Sequence, residues 1–275
     1  MNYSKLDYKT LSESITTDKA DIIFEIHRNL SNRLKLKEND FVILTGRTGT
    51  GKTAYALNLM NDLSRNYRIL YVNLEMAIVE LHTRIISIQS NVRISDIDNL
   101  KKALKSKEKV QDNIQKNLNN VQEAMKVIDK RNITIISESQ TIEKLRNLIS
   151  NLDDPKEHLI VFIDHLGLLG ASGKSLYEKM TYVAKECRKM SLDYNCTIFG
   201  LCQLARDTKE SKNQKPLLYQ LKDSGELENS ASRVLLIYEK ENRYYIDIQK
   251  NRGGSCGEFP INYDKQTQRI SELKI

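Results

Sequence analysis

The chain has 275 residues, of which 40% are hydrophobic and only three are proline, enough for one sizeable α/β core and too few for two. The net charge of +7 at pH 7 suits a polyanionic partner, although a chain rich in lysine also reaches such a charge by composition alone. No run of about 18 apolar residues is present, which excludes a membrane-spanning helix. The four cysteines show no C-x-x-C spacing. We therefore expect a soluble protein of the reducing cytoplasm.

The first thirty residues are polar and carry a modest apolar set at Ile22, Ile23, Ile26 and Leu30 that is able to form a helix. A segment this short and polar is not expected to form a domain of its own. We interpret residues 1–30 as a linker or docking arm and residues 31–275 as the main domain.

A complete phosphate-loop motif, G-x-x-x-x-G-K-T, follows the apolar run of residues 41–44. Its glycines allow backbone N–H groups to surround phosphate oxygens, and the helix that starts at Lys52 presents its positive end to the same charge. Lys52 is expected to reach the β- and γ-phosphates, and the Thr53 hydroxyl is expected to hold Mg²⁺. The alternative is a glycine-rich turn that only resembles the motif, and the flanking strand and helix argue against it. The predicted nucleotide-binding residues are Gly46, Arg47, Thr48, Gly49, Thr50, Gly51, Lys52 and Thr53.

Short apolar runs alternate with helical stretches along most of the chain. This rhythm is typical of an α/β fold with a mostly parallel sheet that helices cover on both faces. Near the C-terminus the pattern changes to strands joined by tight turns, which predicts an antiparallel edge. The predicted parallel strands are residues 41–44, 69–74, 133–136, 160–163, 197–202 and 233–238, and the antiparallel strands include residues 244–250 and 258–262.

Asp164 ends the apolar run of residues 160–163, at the carboxyl edge of a buried strand. A carboxylate there is able to bind Mg²⁺ through water beside the phosphate loop, in the Walker B arrangement. An aspartate after an apolar strand is a common pattern, and it gains its meaning from the phosphate loop upstream. ATP and Mg²⁺ are therefore the predicted cofactors, with Thr53 and Asp164 as the metal-binding residues.

Glu75 is the predicted general base. It follows the strand at residues 69–74, which we expect to lie beside the strand that leads into the phosphate loop. A carboxylate in that place is able to take the proton of the water that attacks the γ-phosphate. The alternative is an acidic residue at a helix start, where the macrodipole favours it. ATPases of the AAA+ type mostly place glutamate directly after the Walker B aspartate, but here that position is His165.

Gln203 follows the predicted strand at residues 197–202. Its amide is there able to contact the γ-phosphate or the attacking water and to report hydrolysis to the segment beyond. The alternative is a polar residue where a strand reaches the surface. We interpret Gln203 as a sensor.

Lys250 and Arg252 share the sequence parity of Ile246 and Ile248, so a strand through these residues is expected to aim both cations along one face. Edge strands often carry such charges for solubility alone. Two cations beside a Gly-Gly turn instead suggest an arginine finger, which neutralises charge in the transition state. We expect this strand to be unable to reach Lys52 of its own subunit.

Several segments resemble the ATPase domain of DnaB-type replicative helicases, which are RecA-like hexameric helicases. The resemblance covers roughly residues 30 to 265. Residues 51–58 read G-K-T-A-Y-A-L-N, close to G-K-T-A-F-A-L-N of the family, and residues 73–76 read N-L-E-M, close to S-L-E-M. Residues 163–166, 202–206, 221–225 and 250–254 are similar to I-D-Y-L, S-Q-L-N-R, L-R-E-S-G and K-Q-R-N-G, respectively.

The resemblance implies a RecA-like P-loop NTPase fold and a hexameric ring in which ATP lies between subunits. It implies that Glu75 is the catalytic base and that Lys250 and Arg252 reach into the neighbouring site. It also implies that central loops contact the phosphates of single-stranded DNA. The matching positions are Lys222, Asp223 and Gly225.

A solvated loop cation is the alternative for Lys222, and the nearby Lys209, Lys212 and Lys215 favour a basic path for DNA. The expected function is an ATP-driven DNA helicase or translocase of replication, in a bacterial cell or a phage-infected host. Its expected partners are single-stranded DNA, further copies of the chain, and a primase or helicase loader.

Two other functions stay open. The first is a recombination ATPase, because the K-N-R triplet at residues 250–252 is also similar to RadA proteins. The second is a helicase-associated or loading protein in which ATP acts as a conformational switch. Members of the DnaB-type family usually carry a helical N-terminal domain, for which we expect no room in this chain. Assembly would then rely on residues 1–30, or the protein is a compact relative.

Overall fold

The computed structural model describes residues 21–106, 112–154, 156–204, 215–216 and 225–273. The strands are β1 (Phe41–Gly46), β2 (Arg68–Asn73), β3 (Ile133–Ile136), β4 (Leu159–Asp164), β5 (Thr197–Gln203), β6 (Arg233–Lys240), β7 (Arg243–Asn251), β8 (Gly257–Asp264) and β9 (Arg269–Glu272). The helices are α1 (Arg28–Leu34), α2 (Lys52–Leu63), α3 (Ile78–Ser90), α4 (Ile94–Ser106), α5 (Asp112–Asp129), α6 (Ile142–Leu152), α7 (Leu176–Asp193) and α8 (Gly225–Ser230). Short 3-10 helices span Glu25–His27 and Leu166–Leu168.

The strands form one sheet in the order β3-β2-β4-β5-β1-β6-β7-β8-β9. Strands β1 to β6 pair in parallel, and β6 to β9 pair antiparallel at the C-terminal edge. The predicted fold class is confirmed, including the change from parallel to antiparallel pairing. Among the described residues, no helix has the length and apolar character that crossing a membrane requires.

The expected neighbour of the phosphate-loop strand was wrong. Strand β2 does not lie beside β1, because β4 and β5 separate the two strands, and β1 instead pairs with β5 and β6. A crossover connection in a parallel sheet can pass over intervening strands, and apolar runs carry no information about strand order. Glu75 nevertheless lines one cavity with the phosphate loop, because all parallel strands end at the same edge of the sheet.

Two hydrophobic cores cover the two faces of the sheet. Val42 and Leu44 of β1 face the core that includes α2, whereas Phe41 and Ile43 face the core that includes α6 and α7. Burial on both faces explains why the parallel strands are continuous apolar runs in the sequence. The sheet therefore holds the carboxyl ends of β1, β2, β4 and β5 rigidly together.

Residues 21–30 pack against the body of the protein, and the division at residue 30 stays a prediction. Ile22, Phe24 and Leu30 are buried in the α2 core, and the Ile22 N–H donates to Leu36 O at 2.8 Å. The buried carboxylate of Asp62 in α2 accepts the N–H groups of Glu25 and Ile26, which anchors the 3-10 turn. Ile22 and Leu30 belong to the apolar set that the sequence indicated, and Phe24 joins them in the core. The interpretation of residues 1–20 lies outside the described residues.

Candidate nucleotide-binding site

The phosphate loop joins the buried strand β1 to helix α2, and two of its glycines are required by the geometry. A Cβ atom on Gly46 would collide with the carbonyl oxygen of Ile237 in β6. Gly51 has φ 98°, a region that favours glycine, and a Cβ there would lie 2.9 Å from Cε1 of Tyr263. Gly51 is also the N-cap of α2 and has no side chain to occupy the first amides. These amides therefore face the loop, where a phosphate group would accept from them.

Lys52 folds back over the loop. Its Nζ donates to Gly46 O at 3.0 Å and to Arg47 O at 2.9 Å, and the side chain is buried. Burial lowers the pKa of Lys52, against the attraction of Asp164 and Glu75, which raises it. A buried cation whose hydrogen bonds go to neutral carbonyls gains energy from an anionic ligand. Lys52 is thus suited to a phosphate group that replaces these carbonyls.

Asp164 ends β4 beside the phosphate loop, as predicted, and is buried. Its carboxylate accepts hydrogen bonds from the hydroxyl of Thr53 and, at 3.0 Å, from that of Tyr71. Burial raises the pKa of Asp164, the two hydrogen bonds lower it, and the charge of Glu75 raises it further. A buried carboxylate beside a threonine hydroxyl offers the hard oxygen ligands that suit Mg²⁺, which keeps water and phosphate as its other ligands. The residues present therefore fit the predicted metal.

Tyr71 was missed by the sequence analysis. It lies in the middle of β2, in an apolar run where a tyrosine is usually only a core residue, and its ring stacks on Phe162. Burial and the neighbouring Asp164 raise its pKa, so the phenol stays protonated and donates to the carboxylate. No signal in the sequence separates this tyrosine from the apolar residues around it.

The raised pKa of Asp164 leads to a prediction about stability. A carboxyl with a raised folded-state pKa destabilises the fold above that pKa and has no effect below its unfolded value near 3.8. We expect Asp164→Asn to raise the free energy of unfolding of the nucleotide-free protein by about 1 kcal/mol at pH 7. The gain is expected to shrink as the pH falls. Thermal unfolding between pH 7 and pH 4 measures it, with the exposed Asp129→Asn as the control. A lower melting temperature for Asp164→Asn at pH 7 would contradict the prediction.

Glu75 and Gln203 complete a cavity of about 490 Å³ in front of the phosphate loop, which also contains Lys52 and Thr53. Glu75 is exposed within it, two residues beyond the end of β2. Gln203 is the last residue of β5 and pairs in register with Gly46. The structure thus brings together the loop, Asp164, Glu75 and Gln203, at the edge of the sheet that the sequence indicated.

Tyr263 and Gln268 also line this cavity and were not predicted. They lie around the turn between β8 and β9, about 200 residues after the phosphate loop in the printed sequence. The turn is held against α2 by Asn58, whose Nδ2 donates to Gln268 O at 2.7 Å and whose Oδ1 accepts from Ile270 N at 3.1 Å. In the sequence, this contact is marked only by Asn58, a polar residue within the apolar part of α2.

A larger groove of about 1130 Å³ lies elsewhere, between α1 and strand β8. It is lined by residues such as Arg28, Arg33 and Phe259, and none of the predicted phosphate-binding residues lines it. We assign the nucleotide to the smaller cavity because the loop amides, Lys52 and the carboxylates converge there.

Lys250 and Arg252 lie far from the phosphate loop of their own chain. Arg252 N donates to Ser232 O at 3.1 Å, whereas the loop residue Gly46 is in register with Ile237. Five residues of extended strand separate these two levels, about 16 Å along β6. The cations therefore lie beside the amino ends of the parallel strands, whereas the phosphate loop lies at their carboxyl ends.

The expected face of these cations was wrong, although Lys250 and Arg252 keep their parity relative to each other. Ile248 pairs with Leu235 and Lys250 pairs with Val234, so a bulge leaves Gln249 as an extra residue in β7. Paired residues share a face, and Val234 faces the α6 and α7 core, so Lys250 lies on the opposite face from Ile248.

The two cations still meet at one place, the C-terminal end of the short helix α8. Lys250 Nζ donates to the carbonyl of Glu228, and Arg252 Nη2 donates to the carbonyl of Asn229 at 2.7 Å. Carbonyl groups at a helix C-terminus attract cations.

Residues 12–272 match the model of the family described as the DnaB-like helicase C terminal domain. The chain belongs to this family. It is 29% identical over 245 residues to a probable plasmid replicative DNA helicase of Chlamydia trachomatis serovar L2. The aligned region covers 87% of this chain and 52% of the relative. It is 26% identical over 287 residues to the replicative DNA helicase DnaB of Rickettsia conorii, and this alignment covers 90% of this chain and 56% of the relative. The chain thus spans about half the length of these curated relatives.

Solved structures share the fold of this member of the DnaB-like family. One of them, described as an ATPase domain, superposes with a TM-score of 0.85 at 23% identity, over 97% of both chains. A DnaB-like replicative helicase, described together with its interactions with primase, superposes with a TM-score of 0.86 at 22% identity. That match covers 98% of this chain and 69% of the other.

Of the positions expected to contact DNA, Lys222 and Asp223 lie outside the described residues, as do Lys209 and Lys212. Gly225 is exposed and begins α8. Lys215 does not fit the expected basic path, because its ammonium pairs with Asp247 at 2.7 Å and Glu258 at 3.1 Å. These two carboxylates neutralise its charge.

Proposed function

We propose that this chain is the ATPase domain of a replicative DNA helicase that moves along single-stranded DNA, with ATP hydrolysed between the subunits of a hexameric ring. The observation that carries the proposal is the distance within the chain between the cavity at the phosphate loop and the two cations that are expected to act on the nucleotide. Lys52, Thr53 and Glu75 line a single cavity, whereas Lys250 and Arg252 extend from the opposite edge of the sheet. A complete site therefore needs a second copy.

Within this proposal, the phosphate loop binds the triphosphate and Lys52 contacts its β- and γ-phosphates. Thr53 and Asp164 hold Mg²⁺, which neutralises phosphate charge when it is bound. Glu75 takes the proton from the attacking water. Gln203, at the end of β5 next to Gly46, contacts the γ-phosphate or that water.

Lys250 and Arg252 of the neighbouring copy stabilise the charge that develops on the transferred phosphate. Both are already directed to one place by their shared contacts with the carbonyls of α8. Those carbonyls are neutral acceptors, and a charged phosphate oxygen forms a stronger hydrogen bond with a cation. In an assembled ring, Lys250 and Arg252 would therefore leave the carbonyls and bind the phosphate of the neighbouring site.

A strand-displacement assay tests the function. With ATP and Mg²⁺, the protein is expected to open a forked DNA substrate, and a non-hydrolysable ATP analogue is expected to support binding without opening. ATP hydrolysis that DNA stimulates without strand displacement would instead favour a recombination ATPase. Nucleotide binding without DNA-stimulated turnover would favour a switch in a loading protein.

The DNA path gives a separate prediction. We expect Lys222→Ala to reduce affinity for single-stranded DNA about equally for all sequences and to lower the salt slope of binding by about one counterion, because a phosphate contact releases condensed ions. Fluorescence anisotropy at several salt concentrations measures the slope. Lys215→Ala is the matched control, since its charge is already paired within the protein. An unchanged slope for Lys222→Ala would remove this residue from the path.

A further partner is also part of the proposal. One structural neighbour is described with its interactions with primase, and we infer that a primase or a helicase loader meets the assembled ring of this protein in the cytoplasm. Pull-down of the assembled protein with the primase of the same host tests this partner.

A further inference from the structure

Asn73, the last residue of β2, is a buried polar side chain that no step above uses. Only 2% of its surface is exposed. Its Oδ1 accepts from the N–H of Met76 at 3.1 Å, and its Nδ2 donates to Met76 O at 2.7 Å and to the Ser137 hydroxyl at 3.1 Å. The orientation of the amide is fixed by these partners, because an N–H group faces its oxygen and two oxygens face its nitrogen.

These bonds close a tight turn around Glu75. The turn begins where Leu74 N donates to Asp164 O at 2.7 Å, which extends the pairing of β2 with β4. It ends at Met76, whose amide and carbonyl both bond to Asn73. Glu75 is the residue between the two clamped ends, and its side chain enters the cavity that contains Lys52.

The start of α3 does not anchor this turn through a side-chain cap. The N-cap residue of α3 is Ala77, which has no side-chain acceptor for the first amides of the helix. Glu75 itself is exposed, so packing does not hold its side chain in place. The backbone position of Glu75 therefore depends on the carbonyl of Asp164 on one side and on the amide of Asn73 on the other.

We propose that Asn73 is the positioning residue for Glu75, and that its hydrogen bonds to Met76 set the distance from the Glu75 carboxylate to the γ-phosphate. The inference rests on the proposed role of Glu75 as the general base. Such a base has to lie within hydrogen-bond reach of the attacking water, and a misplacement of about 1 Å can cost up to about 100-fold in rate. Asn73 acts through the backbone and does not contact the nucleotide.

The test compares variants of the full chain in steady-state ATP hydrolysis and nucleotide binding. Asn73→Ala is expected to lower kcat by roughly tenfold to 100-fold, since it removes the hydrogen bonds to the N–H and to the carbonyl of Met76. The Kd of a fluorescent ATP analogue is expected to stay within about twofold, because the phosphate loop is untouched. Asn73→Ser is expected to restore part of kcat, since a hydroxyl is able to accept from Met76 N. Ser137→Ala keeps both bonds to Met76 and is the matched control, expected to have kcat close to that of the unmodified protein.

A double variant separates positioning from general support of the fold. If Asn73 acts through Glu75, then Asn73→Ala combined with Glu75→Gln is expected to be no slower than Glu75→Gln alone. A loss that multiplies in the double variant, or an equal loss of nucleotide affinity, would overturn the inference. If Asn73→Ala does not fold, Asn73→Val fills the space with a strand-favouring side chain and is expected to show the same loss.

The outcomes also separate this inference from the proposed function. Full activity of Glu75→Gln would remove the general base itself and with it the reason for positioning. Loss of activity in Glu75→Gln together with unchanged kcat in the Asn73 variants would leave the proposed function standing and would reject the role of Asn73 alone.

Discussion

Glu75→Gln is expected to lower the rate of ATP hydrolysis by roughly 10² to 10⁴, because an amide cannot take the proton from the attacking water. Binding of ATP with Mg²⁺ is expected to persist, since the phosphate loop, Thr53 and Asp164 are unchanged. Single-turnover hydrolysis measures the chemical step, and equilibrium binding of a fluorescent ATP analogue measures the affinity. The variant should therefore accumulate as an ATP-bound protein.

Glu138→Gln is a control with the same chemical change. Glu138 is exposed beyond β3, at the same edge of the sheet, but it does not line the cavity. Its replacement is expected to leave turnover unchanged. If Glu75→Gln hydrolyses ATP at the normal rate, the general base has to be sought elsewhere in the site.

Arg252→Ala is expected to reduce turnover by roughly 10³ to 10⁵ while nucleotide affinity stays nearly intact, as expected for loss of an arginine finger. The guanidinium lies at the far edge of the sheet from its own phosphate loop, so its removal leaves the cavity unaltered. Arg243→Ala is the control, since Arg243 is an exposed arginine at the start of β7, the strand that Arg252 directly follows. Steady-state hydrolysis in the presence of single-stranded DNA gives the comparison.

Mixing the two inactive variants decides whether the site is shared between subunits. An interface between an Arg252→Ala subunit that supplies the loop and a Glu75→Gln subunit that supplies the finger contains both functional groups. Random assembly at equal amounts places this pair at about a quarter of the interfaces of a head-to-tail ring. We expect turnover to reappear on mixing. Its absence, with mixed assembly verified by native mass spectrometry, would contradict a shared site.

A purely structural role for Arg252 predicts a different pattern. Its contact with Asn229 O supports the end of α8, so a structural role would lower the melting temperature of Arg252→Ala and weaken its fold in every mixture. Rescue by Glu75→Gln subunits is then not expected.

The sequence alone was sufficient for the features that depend on local spacing. The phosphate loop is one continuous segment, Gly46 to Thr53. The spacing of its glycines, Lys52 and the Thr53 hydroxyl is therefore set by the sequence itself. Apolar runs located the strands because both faces of a parallel sheet are buried. Asp164 and Gln203 could be placed at the loop because strands that run in parallel end at one edge.

Only the tertiary structure decided which distant residues meet. The order of β1, β4, β5 and β2, the bond from Tyr71 to Asp164, and the packing of Tyr263 against Gly51 join segments that are separated along the chain. The bulge at Gln249 shifted Lys250 to the other face, because one extra residue inverts an alternation of period two. Periodicity records which face of an element is buried, whereas strand order, bulges and side-chain contacts are set by packing between elements.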